Sequence, residues 1–321
     1  MKVKIGIMLL LAVNVLGQPR LIPSRAVFVV RDDKGDRVGG VFVDGGFGEI
    51  SNRGARDFFK GYTDNDGMFV AEGKTLVDVG ARFEKKGYYS TITNVPLSYE
   101  LSKNITRWDI EIPVILKKIR NPIPMYVKRF YNPHISVFED FRKYNLGKTS
   151  QYDFVKADFL PPYGKGEVGD MRALWEMKIY KTNAIGRAID CDTYCEISFT
   201  NCVDGICRGK PEGDRSFMNG SEFISAYEAP LEGYTNKVIF YSKTRGIKRE
   251  TNDDNHQLYY FRIRTQVDKD GRITNAIYGK IYGELKGVLT YYLNPVPNDR
   301  NMEYDGKNNL FTDQKKEKYL P

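Results

Sequence analysis

Histidine is nearly absent. The 321-residue chain has two, His134 and His256. No Ser sits in a G-x-S-x-G turn and no H-E-x-x-H occurs, so histidine-based triads and multi-histidine metal centres are set aside. Tryptophan numbers two and cysteine four. No apolar run reaches the roughly 20 residues that a bilayer-spanning helix needs. The basic residues form no stripe, so nucleic acid is not an expected partner.

The first residues carry an address. Lys2 and Lys4 precede the short apolar run 5–13, and Val15 and Gly17 stand three and one positions before Gln18. Charged, apolar, then small is the order of a secretory leader, which predicts removal of residues 1–17. The expected location is exported: periplasmic, cell-surface or extracellular. No Cys follows the cut, which sets aside a bacterial lipoprotein anchor. Net charge is +8, or +6 once Lys2 and Lys4 leave with the leader (47 basic against 41 acidic). Ordinary solubility accounts for such a surface first; the second reading is a lean toward anionic polymers such as cell-wall or extracellular glycans.

Tyrosine is abundant, 22 copies, and aromatics make up 13% of the chain. Gly and Pro are scattered, which suits short strands joined by turns. Segments 26–30, 38–43, 68–70, 76–83 and 108–114 read as strands. Asp64-Asn65-Asp66-Gly67 reads as a turn, because a calcium loop would need a Glu where Thr75 stands. About seven strands over residues 26–119 indicate a β-sandwich. Residues 120–150 read as a junction, since the Asn121-Pro122-Ile123-Pro124 run is unsuited to a central strand. Ile135, Phe138 and Phe141 are spaced as one face of a short helix. Strands return at 173–180, 196–200, 222–227, 238–242, 258–267, 273–283 and 288–293, giving a second antiparallel sandwich or jelly roll over 151–294. Residues 295–321 form a polar tail. The expected class is all-β.

The stretches VFVVRDDKGDRVGGVFV, GYTDNDGMF and VGARFEKKGYY resemble the transthyretin-like, carboxypeptidase-regulatory-like domain. Its habit is a first hairpin, a T-D-x-x-G-x-F turn and a strand ending in K-G-Y. That resemblance implies a sandwich serving as a noncatalytic module of an exported protein. NPIPMY, PPYGKG, YGKIYG and YYLNPVPNDRNMEYD are similar to a family of exported bacterial proteins with the same two-part layout, and imply no activity.

Cys191, Cys195, Cys202 and Cys207 lie within 17 residues. In an exported chain that favours disulfides. Zinc is the rival, but C-x3-C-x6-C-x4-C lacks paired C-x2-C knuckles. Val203-Asp204-Gly205-Ile206 reads as a tight hairpin that would set Cys202 opposite Cys207, leaving Cys191 to Cys195. Gly164, Gly166 and Gly169 match G-x-G-x-x-G by letters, without the strand and helix that make it a phosphate cradle. No cofactor, catalytic residue or metal ligand is nominated.

A contact surface is expected on one hairpin. The Asp268-Lys269-Asp270-Gly271 turn sets Ile263 opposite Ile277. The other face then carries Tyr260, Arg262 and Arg264 against Tyr278, Lys280 and Tyr282. An aromatic and basic strip of that kind suits an anionic glycan, against the plainer reading of a solvated or internally covered face. The sequence therefore points to an exported noncatalytic protein with a binding or adhesion role, its partner a glycan or another envelope protein. The alternatives are a polysaccharide-acting hydrolase and a structural surface-assembly subunit.

Overall fold

A computed structural model describes residues 21–49, 54–97, 106–131, 149–186, 188–211, 213–214, 219–252, 258–283, 285, 288–311 and 319–321. The expected leader, both histidines, the expected helix near Phe138 and residues 312–318 of the polar tail fall outside them. The described residues are all-β, with no helix, and form two compact units.

Unit 1 comprises residues 1–119 and 213–224. Its strands are β1 (Ile22–Asp32), β2 (Phe42–Glu49), β3 (Gly54–Tyr62), β4 (Met68–Thr75), β5 (Asp78–Glu84), β6 (Thr91–Pro96) and β7 (Trp108–Leu116). The sheet β4-β1-β7 faces a second sheet built on β6-β5-β2-β3. Alternation sets the core: Ala26, Phe28 and Val30 of β1 meet Val79, Ala81 and Phe83 of β5. The Phe28 and Phe83 rings lie 5.3 Å apart. The Asp64 turn closes as expected, with Gly67 at φ +70° and the Asp64 carboxylate accepting the Met68 amide at 2.8 Å.

One strand was hidden by glycine. The Gly45-Gly46 pair reads as a turn after residue 43, yet β2 runs through it and β3 returns beside it. A Cβ on Gly45 would overlap the Gly80 carbonyl of β5, so this glycine permits close strand approach rather than a bend.

Unit 2 comprises residues 120–212 and 225–321. Its strands are β8 (Ile123–Tyr131), β9 (Thr149–Asp153), β10 (Asp158–Phe159), β11 (Met171–Thr182), β12 (Ala188–Phe199) and β13 (Gly205–Arg208). After the short strands β14 (Gly213–Asp214) and β15 (Asn219–Ser221), which extend unit 1 at β6, come β16 (Lys237–Arg245) and β17 (Lys248–Thr251). The chain ends with β18 (Leu258–Val267), β19 (Ile273–Gly283), β20 (Val288–Leu293) and β21 (Tyr304–Asn309). Two six-stranded sheets result, β10-β9-β11-β12-β16-β17 and β13-β18-β19-β20-β8-β21. They close on a core in which Ile197, Phe240, Phe261, Ile263 and Tyr291 are buried.

Three expectations are corrected here. Residues 123–131 form a strand flanked by β20 and β21, not a junction. Pro124 is tolerated because the β20 ladder begins only at Tyr126, opposite Leu293. Residues 222–227 are not a strand; from 222 to 236 the only β pairings of the backbone are isolated bridges at Glu228 and Thr235. The tail is not all coil, because Met302, Glu303 and Tyr304 are buried and lead into β21.

Candidate functional site

The β18–β19 hairpin has the expected register. Ile263 pairs with Ile277, Arg262 with Tyr278 and Tyr260 with Lys280. The turn closes through Gly271 N–H to Asp268 O at 3.0 Å, with Gly271 at φ +79°. The strip it carries is not a surface. Tyr260, Tyr278, Lys280 and Tyr282 are all buried, at 2%, 4%, 0% and 3% exposure. Residues 225–236, read as partly strand, cross over this face instead. The Ser225 and Ala226 amides donate to the Tyr282 and Tyr260 hydroxyls at 3.2 and 2.7 Å. The Lys280 ammonium donates to Ser225 Oγ and Tyr282 Oη at 3.2 and 2.9 Å. It also lies 4.7 and 4.8 Å from the centres of the Tyr282 and Tyr292 rings. Arg262 stacks on Tyr234, 4.7 Å from its ring centre. The strip is an internal polar layer, and a ligand has no access to it.

Arg264 leaves the strip altogether. The register slips between Ile263 and Gln266, and Arg264 takes φ +55°. Its guanidinium bonds Asp153 at 2.9 Å and Asp170 at 3.0 Å. Asp204 accepts the backbone amides of Arg264 and Thr265, at 3.0 and 2.8 Å. The two carboxylates on one guanidinium are pushed in opposite directions. Burial raises Asp170 above the ordinary carboxylate range, and Arg264 with the Phe154 amide only partly offsets it. Burial acts the same way on Asp153, but amides of Val168, Lys156 and Glu167, with Arg264, hold it below that range. Split carboxylates are the signature of an acid–base pair in enzymes. Here both side chains are 1% exposed and occupied by backbone donors, so the cluster serves as a clamp.

The same clamp explains the glycine loop. Asp153 accepts the Glu167 and Val168 amides at 3.0 and 2.9 Å, and Asp158 accepts the Lys165 amide at 2.8 Å. A Cβ at Gly164 would overlap Asp158, and one at Gly169 would overlap Gln151. The loop cradles carboxylates of its own chain instead of a phosphate.

The structure joins none of the four cysteines in a disulfide. The expected 203–206 hairpin does not form. Asp204 N–H closes a turn on Asn201 O at 3.0 Å, and Gly205–Arg208 pairs with β18 instead. The Asp204 carboxylate is drawn to the Arg264 and Thr265 amides, and the turn falls two residues earlier than the Asp-Gly signal implies. Cys191 and Cys195 share β12, four residues apart, or about 13 Å along a strand. That exceeds disulfide reach. Cys195 packs in the core. Burial pushes the Cys207 thiol up to about 11.

The open aromatic face lies on the other sheet of unit 2. Along β11, Glu176 and Lys178 point outward; Asp192, Tyr194 and Glu196 do so on β12, and Ile239, Tyr241 and Lys243 on β16. Register aligns them, with Tyr194 between Glu176 and Tyr241, and Asp192 between Lys178 and Lys243. Glu176, Lys178, Asp192, Tyr194, Tyr241 and Lys243 line a shallow depression of about 410 Å³ with Met177 and Thr193. Tyr180 is 50% and Tyr241 36% exposed. Ordered polar contacts fix the rings. Tyr180 Oη donates to Asp192 at 2.9 Å, and Arg245 bonds the same carboxylate at 2.7 Å while lying 4.5 Å from the Tyr180 ring centre. Tyr194 Oη donates to Glu196 at 2.9 Å, and Lys237 bonds Glu196 at 3.0 Å. Arg245 holds Asp192 below the ordinary carboxylate range, and Lys237 does so for Glu196. Such carboxylates accept hydrogen bonds and donate none, which fits them to sugar hydroxyls and not to general-acid work.

The chain matches no family model and no curated relative. Solved structures similar to parts of it share little sequence. A 3-chlorocatechol 1,2-dioxygenase from Rhodococcus opacus is 14% identical, with a TM-score of 0.25, over 32% of this chain and 62% of its own. A streptococcal ancillary pilin is 12% identical, with a TM-score of 0.22, over 86% and 60%. The major pilin subunit of Bacillus cereus is 13% identical, with a TM-score of 0.22, over 88% and 99%. The chain thus spans about three fifths of the dioxygenase and of the ancillary pilin.

Proposed function

We propose that this chain is an exported, noncatalytic β-rich surface protein that binds glycan through the outer face of β11, β12 and β16. The observation that carries the reading is an open sheet face on which Tyr180, Tyr194 and Tyr241 stand among carboxylates and lysines. Tyrosine rings offer apolar faces for the C–H side of a sugar, while Asp192, Glu196 and Lys243 reach its hydroxyls. The leader order at residues 1–17 supports export. Unit 1, read as a transthyretin-like sandwich, serves as the accompanying module. The test is a glycan array probed with wild type, Tyr194→Ala with Tyr241→Ala, and Tyr260→Phe. Binding by wild type and Tyr260→Phe, lost in the double variant, is expected. Equal binding by all three, or none by wild type, overturns the proposal.

A structural-subunit role draws on a different observation. In unit 1, β3 is an edge strand with Phe58 and Tyr62 exposed at 77% and 69%. Such an edge is a template for strand addition. Concentration-dependent self-association that Phe58→Lys abolishes would favour this role; a monomer at all concentrations would remove it.

A further inference from the structure

We propose that one end of the β11–β12–β16–β17 sheet is a docking tip for an anionic lipid surface. This goes beyond glycan binding: the apolar apex residues Ile185 and Ile247 lie outside the glycan face, while Tyr180, Lys178, Lys243 and Asp192 are shared with it. The sheet ends in two tight turns, and both carry isoleucine at the apex. Residues 183–186 close through Gly186 N–H to Asn183 O at 3.0 Å, with Gly186 at φ +77°. Ile185 stands there 73% exposed. Between the paired Arg245 and Lys248, Gly246 takes φ +58° and Ile247 is fully exposed at 103%.

Register places both turns at the same end. Asp190, two residues into β12, pairs with Arg245 at the close of β16, and Asp190 accepts the Gly246 amide at 2.7 Å. The turns are separated by two strand spacings, or about 10 Å. Neither turn demands isoleucine. Polar residues serve such loops at no cost, and an isolated tip with a fully exposed β-branched apolar side chain gains nothing in water. Two of them side by side form a pair of prongs.

Behind the prongs the chemistry changes as it does across a membrane interface. Ile179 and Tyr180 follow on β11, 51% and 50% exposed. Around them stand Lys178, Lys181, Lys243, Arg245, Lys248 and Arg249, all exposed, against Asp190, Asp192 and Glu250. Among the described residues of this end, six cations thus face three carboxylates, and Arg245 and Lys243 already engage Asp192 and Glu250. Apolar apex, tyrosine collar and basic shoulder match the order of acyl boundary, headgroup layer and anionic surface. Long basic side chains reach phosphates while the isoleucines enter the acyl boundary.

The test is co-sedimentation with vesicles of phosphatidylcholine alone or with 30% phosphatidylglycerol, on the mature full chain. Wild type should bind the anionic vesicles at least tenfold more tightly than the neutral ones, and release as salt rises from about 0.05 to 0.5 M. Ile185→Asp with Ile247→Asp should weaken binding about a hundredfold, roughly tenfold for each lost insertion. Both sites are exposed, so the variant should keep the wild-type melting temperature and its glycan-array profile. Ile247→Trp should bind and shift its emission to the blue on vesicles. No binding by wild type, equal binding by the aspartate variant, or an unshifted tryptophan would overturn the proposal. So would self-association through the tips, abolished by the aspartates without any lipid.

Discussion

Two sheet faces of unit 2 carry the same kinds of residue and have opposite fates. The β18–β19 face offers Tyr260, Arg262, Tyr278, Lys280 and Tyr282; the β11–β12–β16 face offers Lys178, Tyr180, Tyr194, Tyr241 and Lys243. The first is sealed by residues 225–236, whose amides hydrogen-bond its tyrosine hydroxyls. The second is open. Alternation divides a strand into two faces, and it does not say which face another segment will cover. Polar character does not decide it either, because a buried lysine is tolerated once hydroxyls and tyrosine rings replace its water.

The sharpest way to break the contrast is to remove the clamp beside the sealed face. Arg264→Ala leaves Asp153 and Asp170 buried without their cation and should cost about 3–5 kcal/mol in a denaturant titration. Without the guanidinium both folded-state carboxyl pKa values move up, so the deficit should shrink as pH falls from 7 toward 4. A variant as stable as wild type would mean the cluster is not a clamp.

A smaller effect comes from Cys207 under the Tyr234 and Tyr260 side of the sealed face. Its thiol is raised to about 11 from an ordinary 9.0, a folded-state increase. The associated stability is present below pH 9 and lost as pH rises through 11, on the order of 1 kcal/mol once the thiol's partial exposure to solvent is allowed for. Cys207→Ser should flatten that part of the alkaline loss. An unchanged profile would show that the thiol is wet. In the same protein Cys202 should react fastest with a thiol reagent and Cys195 slowest, since one is exposed and the other in the core; a protein with no titratable thiol would restore the disulfides.

The fold was legible to a useful depth. The β18, β19 and β20 spans follow from alternation, and the 268–271 turn sets the β18–β19 register on either side of the bulge at Arg264. What misled was local chemistry with a distant cause. Gly45 and Gly46 look like a turn because the close approach of β5 is invisible in sequence. Asp204-Gly205 looks like a hairpin tip because its carboxylate's partners lie 60 residues on. Arg264 looks like a member of the strip until a bulge turns it to the far side. The open face had its own signal, the Glu-x-Lys-x-Tyr and Asp-x-Tyr-x-Glu alternations of β11 and β12, equal in strength to the sealed one.

Single hydroxyls sharpen the comparison further. Tyr260→Phe strands the Ala226 amide on the sealed face and should cost about 1–2 kcal/mol. Tyr194→Ala with Tyr241→Ala on the open face should cost under about 1 kcal/mol, since Tyr241 is exposed and Tyr194 only half-buried. Thermal unfolding of both reads the difference, and a larger loss in the open-face pair would reverse the assignment.

The most direct measurement is hydroxyl-radical footprinting of the free protein, resolved by residue. Tyr180 and Tyr241 should be modified at rates set by their 50% and 36% exposure, and Tyr260, Tyr278 and Tyr282, at 4% or less, should be modified at least several-fold more slowly. Equal rates for the two sets would contradict the account, because residues 225–236 would then not seal the face and the two sheets would offer a ligand the same access.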